Sequence, residues 1–358
     1  MRIAVLSTQT PFVNGGAECL AQNLVSACKS MGHEVDIVSH PFSDKTPQTI
    51  RQGIELWQRE NVYSWNNIPD LIICLKFPCY YINFPNKVIW LLHQYRSVYD
   101  IWDYLAQQGH QWNNKEQQLK VDIIKLDNES LKQDNPVYTI SKNVSNRLLN
   151  YNQIISFPLL HPAGLAEKIK QNKSWISYQN YILAPSRLEP LKRQHLAIEA
   201  LLYTKSRVKL ILCGQGSEQK NMFQFIQQHK LHKKVKLLGH VSDNELIKYY
   251  KKSRAVFFAP YDEDYGYITL EAMQNKKAVI TCTDSGGPLQ FIQHQHNGYI
   301  EEPDPIALAK RFDQLMNSSS LAKKMGNHAN KTYKQLQLSW QNVVVKLLEN
   351  TNKVNPND

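Results

Sequence analysis

The feature that most restricts this chain is a rhythm of short apolar runs and longer amphipathic segments, written twice along its length. RIAVLS (2–7), EVDIVS (34–39), DLIICL (70–75), KVIWLL (87–92) and PVYTIS (136–141) are bounded by turn residues and separated by enough chain for crossover helices. Such runs predict parallel strands buried on both faces. Between the first two, Ala17, Leu20, Leu24, Ala27 and Met31 recur at helical spacing and Gly32 reads as the C-terminal cap, which completes a βαβ unit. After FPLLHPAG the alternation restarts with NYILAPS (180–186), VKLILCG (208–214), VKLLGH (235–240), AVFFAP (255–260) and AVITCT (278–283). LKRQHLAIEALLY (191–203) and SDNELIKYYKKS (242–253) read as helices between them, the second opened by a Ser-x-x-Glu capping box. The pattern predicts two doubly wound α/β domains in tandem, 1–165 and 166–334, with a ligand cleft between them. An amphipathic helix and polar tail over 335–358 is expected to pack back across the domains, and 103–135, rich in Gln, Asn and Lys, reads as a helix or a mobile excursion.

No apolar run approaches the roughly 18 residues of a membrane span, and MRIAVLSTQTP enters a strand pattern at once, without a signal peptide's apolar core. A cytoplasmic location is expected, with peripheral contact at the inner face of a membrane left open. The six cysteines form no C-x-x-C pair, so buried thiols are expected and not a disulfide framework or zinc knuckle. Residues 1–165 hold 14 Lys+Arg against 14 Asp+Glu, and residues 166–358 hold 28 against 17, so the second half carries the whole formal charge of +11. Its lysine clusters, Lys233-Lys234-Lys236, Lys248-Lys251-Lys252-Arg254 and Lys276-Lys277, accompany no nucleic-acid-binding motif, and nucleic acid is not expected as a partner. Five of the seven tryptophans (Trp57, Trp65, Trp90, Trp102, Trp112) fall in the first half, as core, as lining of an acceptor groove or as contacts to a membrane interface.

The sharpest chemical signal follows AVFFAP: Asp262-Glu263-Asp264-Tyr265-Gly266-Tyr267-Ile268-Thr269-Leu270-Glu271. Pro260 and Gly266 put Glu263 in a loop and Glu271 inside the next helix. A loop-to-helix junction presents free backbone N–H groups to an anion, and two carboxylates accept from hydroxyls beside it, so a bound polyol phosphate is implied. Read alone, both glutamates also fit a solvated surface, and the Asp262-x-Asp264 pair fits either a metal-bound diphosphate or a plain acidic loop.

This segment resembles the Glu-x7-Glu signature of retaining GT-B glycosyltransferases of family four, the group-1 type. Further positions fit in order: Gly15-Gly16 as the N-terminal glycine loop, Arg187 and Lys192 as paired cations, Gly214-Gln215-Gly216 as the Gly-x-Gly after the next strand. Gly239-His240-Val241 falls at the nucleobase turn, and Ser285-Gly286-Gly287-Pro288 with Asn297-Gly298-Tyr299 at the distal loops of the donor domain. Asp264 and Tyr265 depart from the glycine and phenylalanine common there.

The resemblance implies a GT-B fold, two Rossmann-like doubly wound domains facing an interdomain cleft. It also implies transfer of a sugar from a nucleoside-diphosphate donor to a glycan or lipid-linked acceptor, in surface polysaccharide or lipopolysaccharide assembly. Arg187 and Lys192 would neutralise the departing diphosphate, and the N–H groups of Gly266, Tyr267 and Ile268 would bind its outer phosphate. Glu271 would accept from the ribose, Glu263 would hold hydroxyls of the transferred sugar, and His93, ending KVIWLLH, would face that sugar. Gly15, Gly16, Gly214, Gly216, His240 and Val241 would line the donor. Cations would replace a metal, so neither a metal nor a cofactor is expected. The alternative is a non-catalytic nucleotide-sugar binder of the same fold, against which stands the completeness of Arg187, Lys192, Glu263 and Glu271. A nicotinamide oxidoreductase is disfavoured, because the first-strand turn lacks G-x-G-x-x-G.

Overall fold

The computed structural model describes residues 1–12, 15–132 and 136–349. The chain forms two compact units, one of Met1–His161 with the C-terminal segment from Leu338, the other of Pro162–Gln337. The tail beyond residue 349 and residues 133–135 of the 103–135 stretch lie outside the described residues.

The first unit is built on a sheet of six parallel strands: β1 Arg2–Gln9, β2 Glu34–Pro41, β3 Leu71–Cys74, β4 Lys87–Leu91, β5 Val137–Thr139 and β6 Phe157–Pro158, ordered β2-β1-β3-β4-β5-β6. Every residue of β3 and β4 is buried, the signature of strands covered on both faces. Lys87 is buried with them because its ammonium donates to the carbonyls of Tyr80 and Ile82, both at 2.9 Å, while desolvation lowers its pKa. The helix Gly16–Ser30 buries Leu20, Leu24 and Ala27 as the spacing predicts, but Met31 falls outside it as the cap residue, and Gly32 takes φ 86° just beyond. The 103–135 stretch contains the end of one helix, Asp100–Gln107, and a second, Asn114–Leu131, capped by Asn113 and Glu116.

The second unit repeats the plan with β7 Tyr181–Pro185, β8 Lys209–Cys213, β9 Val235–Leu237, β10 Ala255–Phe257, β11 Val279–Cys282 and β12 Gly298–Glu301, all parallel and ordered β12-β11-β10-β7-β8-β9. Its core gathers Ile182, Leu210, Leu212, Phe257, Ile280 and Phe312. The fold class is therefore α/β with two Rossmann-like doubly wound domains.

Three local expectations are corrected. The segment 191–203 is a single turn, Pro190–Lys192, and a shorter helix, Gln194–Ala200, because Arg193 between them adopts φ 51°. Gly298 and Tyr299 belong to strand β12 and not to a loop. Of the amphipathic helix expected over 335–358, only Trp340–Leu348 is helical, in the first unit, separated by Gln337 at φ 48° from the helix Ser319–Gln335 of the second.

Candidate active site

In the second unit the strand order reverses between β7 and β10: β8 and β9 lie beyond β7, β11 and β12 beyond β10. Loops leaving the carboxyl ends of the two strands diverge there, and an open α/β sheet binds ligands in the crevice this makes. Arg187 and Lys192 follow β7, and Asp262, Glu263 and Asp264 follow β10. The two loops meet through an ion pair between the Lys192 ammonium and the Glu263 carboxylate, both largely buried. Tyr261 N–H also donates to the Leu191 carbonyl at 2.7 Å.

Backbone bonds fix Glu263 on both sides. Its N–H donates to the Ser285 carbonyl at 3.0 Å, and its own carbonyl accepts from Gly287 N–H at 2.6 Å. The loop after β11 thus acts as a short added strand beside it. Gly287 is required here because a Cβ would sit 2.6 Å from the Tyr265 carbonyl oxygen. Tyr265 is buried edge-on to Tyr267 and Phe291, at 5.5 and 5.6 Å between ring centres, so the phenol ring fills the loop's base. Gly266, at φ 91°, opens the helix Tyr267–Gln274, and its carbonyl accepts from the Thr269 N–H at 3.0 Å.

Glu271 lies one turn further along and is only 6% exposed. Burial pushes its carboxyl up to about 7, opposed by the hydroxyl of Tyr250, which donates to it at 2.8 Å, and by a backbone hydrogen bond from Leu165. Gly214 and Gly216 continue the β7–β8 ladder past its end: Ser186 N–H donates to the Cys213 carbonyl and Leu188 N–H to that of Gln215, at 3.0 and 2.9 Å. A Cβ on Gly214 would lie 1.8 Å from the Ser186 oxygen, and one on Gly216 2.2 Å from the Leu188 oxygen. The glycines of this motif are therefore demanded by neighbouring backbone. His240 and Val241 follow β9, the first exposed and the second half-buried. Arg187 is exposed, its carbonyl held by the Gln194 side chain at 2.9 Å.

The remaining candidates belong to the first unit. Gly15 caps the helix Gly16–Ser30, with its N–H donating to Glu18 at 2.8 Å. His93 follows β4, and its Nδ1 faces the Gln94 carbonyl at 2.7 Å.

Four residues escaped the sequence reading. Arg193 forks onto Asp284 at 2.6 and 2.8 Å and donates to the carbonyls of Ala259 and Pro260 at 2.9 and 3.0 Å. It ties together the ends of β10 and β11, on either side of Glu263. In the first unit Glu18 pairs with Lys76, at 3.4 Å, across the reversal between β1 and β3. The Gly15-x-x-Glu18 spacing is the one readable signal among these, since it is that of a residue reaching back to a helix start. Among the described residues no three His, Cys, Asp or Glu side chains gather as a metal-binding set, and no helix is long and apolar enough to cross a membrane.

Residues 166–332 match the family Glycosyl transferases group 1. The alpha-1,3/1,6-mannosyltransferase of Homo sapiens is 29% identical over 189 residues, covering 48% of this chain and 44% of that protein. This chain thus spans less than half of that relative's length. Two solved structures share the fold: the sucrose-phosphate synthase of Thermosynechococcus elongatus, with TM-score 0.74, 16% identity and 97% of each chain covered, and the Anabaena protein HepE in complex with UDP and glucose, with TM-score 0.69, 16% identity, 99% of this chain and 100% of the other covered. The fold is that of the GT-B glycosyltransferases, and residues 166–332, a little under half of the chain, are similar to the group-1 glycosyl transferases.

Proposed function

We propose that this chain moves a sugar from a nucleoside-diphosphate donor to a hydroxyl of a glycan or lipid-linked acceptor, with retained anomeric configuration and without a metal or other cofactor. Its proposed setting is surface polysaccharide or lipopolysaccharide assembly, at the inner face of a membrane. The observation that carries the reading is the Lys192–Glu263 pair, formed by loops from the two strands where the sheet order reverses and set beside the helix start at Gly266.

In this reading the donor's diphosphate takes Lys192 away from Glu263 and adds Arg187, while the N–H groups of Tyr267 and Ile268 meet the outer phosphate. Fixed cations at the leaving anion lower the barrier by several kcal/mol, in the range typical of preorganised charge. Glu263, released from Lys192, accepts from hydroxyls of the transferred sugar, and Glu271 from the ribose. Gly214, Gly216, His240 and Val241 line the donor within the second unit. The bond from C1 to the phosphate oxygen breaks as the acceptor oxygen bonds to C1 on the same face. The acceptor's proton passes to the departing phosphate oxygen.

The test is turnover of nucleotide sugars followed by proton NMR of the product, with wild type and Glu263→Ala compared. Wild type should give a product of unchanged anomeric configuration at a rate indifferent to chelator. Glu263→Ala should bind nucleoside diphosphate within a few-fold of wild type and lose turnover by about a hundredfold or more. Full turnover in that variant removes Glu263 from the site, and donor binding without turnover in wild type turns the reading to a non-catalytic binder.

A further inference from the structure

Lysines that the donor site does not use gather around one groove of the second unit. The amino-terminal ends of β8 and β9 and the helix Asp243–Lys252 border a cavity of about 690 Å3. Lys209, His232, Lys233, Lys236, Lys248 and Lys252 stand exposed around it. Its one lining carboxylate, Glu245, is engaged by the Ser242 hydroxyl and N–H at 2.7 and 3.1 Å, closing the helix start. Ile211 stands in register with Lys236, so an aliphatic floor from β8, joined by Tyr249 of the helix, meets an ammonium rim.

Position separates this groove from the donor residues. β7, β8 and β9 are parallel, and Arg187, Gly214 and His240 follow their carboxyl ends, whereas Lys209 and Lys233 stand at the opposite, amino-terminal ends. Five like charges around one concavity repel one another, and a multiply charged anion placed among them removes that repulsion. The ammonium groups come from several elements as separate point charges, which suits phosphates spread over a ligand more than one planar carboxylate met by a guanidinium fork.

We propose that this groove is a second binding site, for clustered phosphates, distinct from the donor site and not used in sugar transfer. Two sources present that chemistry: phosphate headgroups of an anionic lipid surface, or a soluble polyphosphate. Sodium tripolyphosphate, followed by titration calorimetry, and vesicles of phosphatidylcholine with or without phosphatidylglycerol, followed by sedimentation, serve as probes for the full chain. The groove variant combines Lys233→Gln, Lys236→Gln, Lys248→Gln and Lys252→Gln. A control with the same charge change combines Lys310→Gln, Lys323→Gln, Lys324→Gln and Lys331→Gln, exposed elsewhere in the unit. Because all these side chains are exposed, thermal unfolding of both variants should match wild type.

Binding of at least one probe that the groove variant weakens by about tenfold, and the control by about threefold or less, is the expected result. Loss on the anionic vesicles identifies a lipid source, and loss on tripolyphosphate alone a soluble one. The proposal falls if neither probe binds, if both variants lose equally, or if the groove lysines matter only for an RNA oligonucleotide. None of these readouts involves sugar transfer, so such a failure leaves the transferase reading untouched.

Discussion

At the scale of single residues, the second unit divides its charges into those that hold the loops and those that face the crevice. Arg193 satisfies its guanidinium within the protein, on Asp284 and two carbonyls, whereas Lys192 next to it pairs with the Glu263 carboxylate. Arg193 is therefore a positioning residue for Glu263. Arg193→Lys keeps the charge but loses the fork, and should lower kcat about tenfold while nucleoside-diphosphate affinity changes about twofold or less. Equal loss in both constants would mean general loosening of the unit. Glu271 supplies a pH dependence with a definite sign. Its folded pKa, about 7, lies above the ordinary glutamate value, so its contribution to stability is complete at low pH and is lost as pH rises through the folded pKa. Wild type, measured against Glu271→Gln by urea denaturation, should lose about 2 kcal/mol between pH 5 and 7.5. A flat difference would show the carboxyl is not held protonated. Glu263 and Glu271 were readable from the residues, because Pro260 and Gly266 bracket the loop and the helix start between them, whereas Lys192 came only through the family resemblance. Arg193–Asp284 was not, because partners 91 residues apart meet only once β7 and β11 have paired on either side of β10.

Among elements, strands buried on both faces read clearly as apolar runs. The edge strands β2 and β9 were read from theirs as well, although β2 is largely exposed and not buried on both faces. β3, β4, β7, β10 and β11 lie in the middle of their sheets and read as apolar runs. β6 and β12 did not read as strands, because an edge strand needs little apolar surface: Phe157 and Pro158 are exposed, and β12 is the four-residue GYIE. Breaks at Arg193 and Gln337 were equally silent, since neither residue type advertises a positive φ. Glycines expected to face a ligand proved to carry a second constraint, which can be measured. Gly214→Ala places a Cβ against the Ser186 oxygen at positive φ, and should cost at least about 3 kcal/mol by urea denaturation. Gly32→Ala, at φ 86° with nothing within 4 Å of the new Cβ, should cost about 1 kcal/mol, the conformational part alone. Equal costs would show that the β7–β8 loops yield, and that the clash at Gly214 is not what excludes a side chain there.

For the whole molecule, the charge excess seen in composition has more than one use. Lys251, Arg254 and Lys277 are buried and spend their donors within the unit: Lys251 on the carbonyls of Asn172 and Ser174, Lys277 on that of Ser177, and Arg254 on those of Tyr178, Leu315 and Met316 and on the Asn180 side chain. These cations hold the entry to β7 and are not available to a partner. Chain order has an equally specific consequence. The chain builds the first unit, then the second, and returns at Leu338 to finish the first with the helix Trp340–Leu348. That helix buries Val343, Val344 and Leu347, and Trp340 stacks on His161 with ring centres 5.3 Å apart and meets Trp90 edge-on at 6.2 Å. At about 1.5 kcal/mol or more for each buried aliphatic side chain, removing it should cost the first unit about 5 kcal/mol, a large part of the stability of an ordinary domain. The second unit's own core is closed by Leu308, Phe312, Leu315 and Met325, all ahead of the return. A chain ending at Gln337 should therefore show hydrogen exchange accelerated about a thousandfold or more in peptides from β1, β3 and β4, with peptides from β7, β10 and β11 protected as in wild type. Uniform acceleration in both units would mean that they unfold as one cooperative body, and unchanged protection in the first would mean that its core is complete without the returning helix.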